Sequence, residues 1–508
     1  VSDCPSPIID DIGRIRYELE LFLLGGAFDL YEDERMVAKV EPNNAVAEFS
    51  YGKLILSCWG PGWSRAWRIA KANLNPDCLL LYCLKQMGRV ACSLVLRRGP
   101  AQGRMISRAD FASRISAAIK SNFPRLSVER AVTARDDHHH FSSAHARLIL
   151  SERGREVAAV AAGPDESQDD VDALLGAGLI WHDLLRNRHK TSRRGPDRLM
   201  IIAPAGRNST LATRLTAMRD GPRDLALYEF DEAQRIIKSV APFDQGDLND
   251  HLRRCSARAD WQQARACPPE AEALARSISQ IAPDSIETHR RGRWLVFSIN
   301  GLRFARLSMA SNHLYFGING EHRLTEKTKG ALERLVDDIV ARRRNDAAER
   351  NSAQYRSSPE RWLESIVSRD ATRIDPTIDP RFVYSQVPAY RGDHRSMIDI
   401  LAVTREGRLV VIELKVAEDI EFPFQGLDYW LRVEWHRARN DFQRRGYFDG
   451  INLMDAAPLL YLVAPLFRFH ATTNLLAGSI TKRVPVFRVG INEDWRGGLR
   501  VLLSERLN

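Results

Sequence analysis

Two carboxylates and a lysine crowd one short stretch of this chain. Asp399 lies inside Ser396-Met397-Ile398-Asp399-Ile400-Leu401-Ala402-Val403-Thr404, an otherwise apolar run. Glu413 and Lys415 end the next one, Arg408-Leu409-Val410-Val411-Ile412-Glu413-Leu414-Lys415. Arg405-Glu406-Gly407 separates the runs. A three-residue hairpin loop needs a left-handed residue at its third place, and glycine adopts it without steric cost. With that loop Thr404 faces Arg408, and counting back pair by pair sets Asp399 opposite Glu413. Opposed residues share a face with Cβ atoms about 5 Å apart. Lys415, two residues on, shares that face. A two-residue loop would put the carboxylates on opposite faces. Two carboxylates side by side repel, so one stays protonated unless a cation neutralises both. Mg²⁺ commonly takes one or two carboxylates together with phosphate oxygens. Such an ion activates water and stabilises developing charge, which suits phosphodiester hydrolysis, and a lysine beside it can hold phosphate or water.

The elements around this hairpin are legible too. Ser358-Pro359-Glu360-Arg361-Trp362 reads as a helix start, with a hydroxyl cap and proline in the first turn. Leu363, Ile366 and Val367 form its apolar face, and Phe382 to Val387 reads as a strand. Pro423-Phe424-Gln425-Gly426-Leu427-Asp428-Tyr429-Trp430 opens a second helix, with Gln425 and Tyr429 one turn apart on one face.

Asp399 followed by Glu413-Leu414-Lys415 resembles the core motif of the PD-(D/E)XK nuclease superfamily. Gln425 and Tyr429 are similar to the Gln-x-x-x-Tyr element of its RecB-like branch, which includes mismatch-specific endonucleases. The resemblance covers about 350 to 508. It implies an αβββαβ, restriction-endonuclease-like core, with Asp399 and Glu413 as ligands of Mg²⁺ or Mn²⁺. It also implies Lys415 as catalytic lysine, Gln425 near the metal or DNA, and a helping glutamate in the first helix, for which Glu364 matches better than Glu360. Ile398 stands where the motif often has proline.

The chain has 508 residues, with 44% apolar and 27% charged, so a wholly disordered or fibrous protein is excluded. The expected class is α+β and multidomain. Residues 1–104 read as a small β domain of short strands, and 105–235 as a mixed α/β domain. Residues 236–350 read as a helical and β basic module with a linker, and 351–508 as the nuclease-like domain. Seven cysteines without a CxxC pair argue against a disulfide framework or a cysteine-rich zinc site. No apolar run approaches the ~18 residues of a membrane span. No basic and apolar leader opens the sequence, so a cytoplasmic location is expected.

The net charge is +9. Residues 286–350 carry 13 basic and 8 acidic residues, whereas 351–508 carry 22 and 20. The excess lies in Arg290, Arg291, Arg293, Arg303, Arg306 and Arg342 to Arg344, a basic module that could attract a phosphate backbone.

The middle region repeats the hairpin layout. Arg147 to Ser151, Glu152-Arg153-Gly154 and Arg155 to Ala162 read as strand, loop and strand, and Trp181-His182 later parallels Trp435-His436. Aligning Gly154 with Gly407 puts Ala146, Val160 and Ala162 where the C-terminal segment has Asp399, Glu413 and Lys415. On that basis 105–235 is expected to be a nuclease-like fold that has lost its metal ligands; the other reading is a chance likeness between two α/β hairpins. Asp136-Asp137-His138-His139-His140 is a weak metal candidate, because consecutive residues rarely converge on one ion. Gly206 to Ser209 reads as a helix cap more readily than as a phosphate site.

The expected function is metal-dependent DNA hydrolysis in repair, restriction or defence. A second copy of the chain or a helicase-type protein would be its protein partner, with no membrane involved. The alternative is a non-catalytic DNA-binding or interaction protein with a nuclease-like fold.

Overall fold

The computed structural model describes the chain apart from residues 1–7, 10–11, 25, 33–34, 42–43, 51–52, 61–62, 76–77, 86–89, 98–100, 137–140, 189–194, 220–223, 248–251, 253–267, 292, 319–321 and 392–393. The Asp136–His140 cluster falls largely outside the described residues. The described chain is α+β, with twelve α-helices and four mostly antiparallel sheets. No described helix is long and apolar enough to cross a membrane.

The chain divides into two compact units, 1–110 with 314–332, and 111–313 with 333–508. The span 236–350 is thus shared between them. The first unit holds an antiparallel sheet of eight strands from the first hundred residues. Alternating side chains such as Leu54, Leu56 and Cys58, and Leu79, Leu81 and Cys83, fill its core against Ile15 and Leu19 of the helix Ile12–Leu24. Cys58 and Cys83 are buried there as packing residues.

The second unit contains two six-stranded sheets. The helix Ala101–Asn122 (α1) leads into the first. Its strands are Ser127–Val132 (β1), His145–Glu152 (β2), Arg155–Ala162 (β3), Arg198–Pro204 (β4), Asp224–Asp231 (β5) and Ile236–Val240 (β6). Helix Leu174–Arg188 (α2) joins β3 to β4, and Ser209–Leu215 (α3) joins β4 to β5. Ile286–Arg291 (β7), Trp294–Ile299 (β8) and Leu302–Ser308 (β9) follow as an antiparallel meander. After the helix Lys329–Arg342 (α4) comes Pro359–Arg369 (α5). The second sheet comprises Ile378–Arg391 (β10), His394–Thr404 (β11), Leu409–Leu414 (β12), Leu459–Pro465 (β13), Val486–Ile491 (β14) and Val501–Arg506 (β15). Phe422–Arg437 (α6) joins β12 to β13, and Thr473–Ala477 (α7) joins β13 to β14.

The two sheets have one topology. Each runs in sequence order across six strands. In each, the first three strands and the last two pair antiparallel, and the third, fourth and fifth pair parallel. The third and fourth strands of each sheet are almost wholly buried, as strands covered on both faces are. Ile201-Ile202-Ala203-Pro204 matches Leu462-Val463-Ala464-Pro465. Val160 pairs with Ile201, three residues before Pro204, and Glu413 with Leu462, three before Pro465, so Val160 is the counterpart of Glu413.

The hairpins differ by one residue. In the second sheet the loop is Arg405-Glu406-Gly407: Thr404 N–H donates to Arg408 O at 2.8 Å, and Gly407 has φ 92°. A Cβ there would fall 2.0 Å from Asn452 O. In the first sheet Glu152 faces Arg155 across a two-residue loop, with Arg153 at φ 53° and Gly154 at φ 79°. Both residues are left-handed, as a type I′ turn requires. The three-residue loop expected there is therefore corrected. The shorter loop sets Arg147, not Ala146, opposite Val160.

The two domains meet by exchanging equivalent parts. Helix α3 packs on α6, and α7 on α2. Beyond α3 and α7, Met218 and Ile480 form an antiparallel bridge. Arg219 N–H donates to Ser479 O at 2.9 Å, and Thr481 N–H donates to Ala217 O at 2.8 Å. Each contact is the other's counterpart about a pseudo-twofold axis, the form of an isologous interface.

Candidate active site

Asp399 and Glu413 stand where the β11–β12 register carries them. Ile400 pairs with Ile412, so Asp399 and Glu413 are next in the ladder, just where it opens. Leu414 N–H instead donates to Asp399 Oδ2 at 3.0 Å. Glu413 is 2% exposed, and the register sets its carboxyl beside that of Asp399. Two buried carboxyls side by side disfavour each other's charge. Burial, with Glu364 nearby, pushes Asp399 up to about 7. Burial and then Asp399 push Glu413 well above the usual carboxylate range, against the pull of Lys415. Glu413 Oε2 is buried without a hydrogen-bond donor among the described residues.

Lys415 extends beyond the end of β12, where its N–H donates to Val463 O at 3.0 Å. Its ammonium lies 3.3 Å from Asp419 Oδ2 and is mostly buried. Burial opposes its charge, but Glu360, Asp419 and Glu413 together hold it above the usual lysine value. It is therefore a cation fixed by Asp419, with Glu413 and Glu360 within electrostatic reach.

Glu364 reaches the pair through a residue that the sequence reading passed over. Gln386 Nε2 donates to Glu364 Oε2 at 2.9 Å and to Asp399 Oδ1 at 3.2 Å. Ser385 Oγ donates to Glu364 Oε1 at 2.6 Å, and Arg361 pairs with Oε2 at 2.8 Å. Gln386 holds φ 56°, a strained backbone for a side chain with a Cβ, in a strand with a register shift upstream. The only sequence signal was an amide between apolar Tyr384 and Val387.

The other expected residues divide. Gln425 is half-buried in the first turn of α6. Tyr429, 3% exposed, belongs to the apolar core. Ser358 does not cap α5 with its hydroxyl; it has φ 45°, and its carbonyl accepts from Arg343 at 3.2 Å. Arg343 is fully buried, donating to Asn300, Gln354, Ser357 and Ser358 carbonyls over the Trp362 ring. Arg342 pairs with Asp338, and Arg344 with Asp346. The Arg342–Arg344 run is thus a fastening rather than a free basic surface.

The meander arginines do not all share a face. Arg306 stacks over Trp294 at 4.6 Å, while Arg290 pairs with Leu295, on the other face from Trp294. Arg293 and Arg303 are exposed. Of Arg291 only the backbone position, opposite Trp294, is described.

In the first sheet the corresponding places hold no acid. Arg147 occupies the counterpart of Asp399, Val160 that of Glu413 and Ala162 that of Lys415. The Arg147 guanidinium is buried against the Phe141 ring at 4.3 Å and donates to Ala134 O.

No family model matches the chain, and no curated protein matches it.

Among the described residues no three Asp, Glu, His or Cys side chains are arranged to hold an ion. Mg²⁺ does not require three; it takes one or two carboxylates and keeps several waters. The donor set of Asp399 and Glu413 fits such an ion. Both are oxygen ligands, and a buried acceptor on Glu413 lacks a donor.

Proposed function

We propose that the chain is a metal-dependent nuclease that hydrolyses DNA phosphodiester bonds with a C-terminal, restriction-endonuclease-like domain. The carrying observation is the pair of carboxyls that the register sets together at the open end of the β11–β12 ladder, with one buried oxygen of Glu413 unsatisfied and the Lys415 charge within electrostatic reach of Glu413. Uncompensated, that arrangement costs stability; a site that binds a divalent cation has reason to keep it.

Asp399 and Glu413 would hold Mg²⁺ or Mn²⁺. Such an ion lowers the pKa of water and neutralises charge on a scissile phosphate. Lys415 supplies positive charge where a phosphate oxygen gains negative charge. Gln386 and Leu414 N–H fix the Asp399 carboxylate, and Glu364, tied by Arg361 and Ser385, fixes Gln386. Water adds to phosphorus, one P–O ester bond breaks, and the leaving oxygen takes up a proton. Gln425 sits at the start of the next helix, where it could meet the DNA. Among the described residues of the meander, Arg293 and Arg303 are exposed cations that would meet the backbone.

The middle domain reads as a copy of the same fold without its metal ligands. The shared strand order and direction support this, as does the match of Ile201–Pro204 to Leu462–Pro465. The test is cleavage of plasmid and single-stranded DNA with Mg²⁺ or Mn²⁺ by wild type and Asp399→Ala. Equal activity in both would refute the site. No cleavage of any DNA would favour a non-catalytic binding protein.

A further inference from the structure

Among the described residues, only one half of the pseudo-twofold pair carries the two carboxylates and the lysine. Met218 bridges Ile480, and the 217–219 and 479–481 segments exchange equivalent hydrogen bonds. The α3–α6 and α7–α2 contacts exchange in the same way. The two halves thus pair with each other face to face within one chain. Ala217 and Ile480 are fully buried there. One half of the pair retains Asp399, Glu413 and Lys415. The other presents Arg147, Val160 and Ala162 at the same register positions.

A buried guanidinium at the Asp399 counterpart, packed on Phe141, places positive charge where an ion would need oxygen ligands. The two halves are also tied covalently and by an ion pair with no counterpart. Arg214, fully buried, reaches Asp428 in bidentate fashion at 2.9 Å and Glu421 at 3.1 Å, both on or beside α6. Leu476 is its counterpart under the 262-residue offset that relates Met218 to Ile480. The halves have thus diverged into a fixed, unequal pair.

Duplex DNA has local twofold axes that relate its strands. A symmetric pair of competent sites can address both strands; this pair can hydrolyse only one. We propose that the metal-free domain is a built-in partner for the catalytic one, and that a single chain nicks duplex DNA rather than breaking both strands. Each nick consumes one water and breaks one ester bond. This inference rests on the nuclease reading above.

The test uses the full chain at a concentration where it sediments as a monomer, on supercoiled plasmid with Mg²⁺ or Mn²⁺. Nicked circles should accumulate first, and linear DNA should follow only after a lag, through a second independent nick. Linear DNA formed without a lag would overturn the inference, as would cleavage of single strands with duplex left intact; either leaves the nuclease reading standing. No cleavage of any DNA refutes the nuclease reading, and the inference with it. Calorimetric titration with Mn²⁺ gives a readout apart from turnover. One site per chain is expected, abolished by Asp399→Ala; a second site that survives Asp399→Ala would overturn the claim of a metal-free half.

Discussion

Replacing Asp399 by asparagine should make the metal-free protein more stable at pH 8 while abolishing catalysis. The folded Asp399 carboxyl titrates at about 7, against 3.8 ordinarily. A carboxyl whose pKa is raised on folding binds its proton more tightly in the folded state. Its contribution is complete below the ordinary value and is lost as pH climbs through the folded one. The whole loss is roughly 4 kcal/mol at about 1.4 kcal/mol per unit, and most of it falls between about pH 5 and pH 7. Asparagine does not ionise, and its side chain also relieves the repulsion on Glu413. Urea unfolding in EDTA, followed by tryptophan fluorescence, measures the difference at pH 5 and pH 8. Trp362, Trp430 and Trp495 are buried reporters in the domain concerned. Wild type should lose about 3 kcal/mol more than Asp399→Asn over that range. Adding Mg²⁺ at pH 8 should restore wild type and do little for the variant. Equal pH dependence of the two proteins would refute the picture of two carboxyls forced together.

Other outcomes follow from the same geometry. Lys415→Met should lower cleavage by about 10²–10³-fold, the usual loss of one charge-stabilising group, while leaving Mn²⁺ binding within a few-fold of wild type. Arg214→Met should destabilise the protein by about 3–5 kcal/mol, because Asp428 and Glu421 lose their buried cation. The double variant Arg214→Met with Asp428→Leu should recover most of that in thermal unfolding. Arg293→Gln with Arg303→Gln should weaken DNA binding and reduce the slope of log affinity against log salt by about 2.

The β11–β12 hairpin was legible because its loop chemistry is local: Gly407 sets a three-residue loop, and the register follows. The matching hairpin of the middle domain was misread for an equally local reason. Arg153 adopts φ 53°, which an arginine rarely signals in sequence, and the loop loses one residue. That single residue moves Arg147 into the place of Ala146. Gln386 was not legible at all, since nothing in the sequence marks the left-handed φ of 56° that it holds inside a strand. The Arg342–Arg344 run looked like a solvated basic tail, but Arg343 is buried by four carbonyls and the Trp362 ring, groups far apart in sequence. The order of elements over 105–235 follows from the alternation of apolar runs and helices, whereas the strand Ile236–Val240 falls in a stretch that reads as helical and polar.

Cleavage itself tests the central claim most directly. Purified wild type, Asp399→Ala and Glu413→Gln should be compared on plasmid and single-stranded DNA, each with Mg²⁺, Mn²⁺ and EDTA. Metal-dependent cleavage by wild type alone, lost in EDTA and in both variants, is the predicted result. Cleavage that survives in either variant, or none by wild type under any condition, would contradict it.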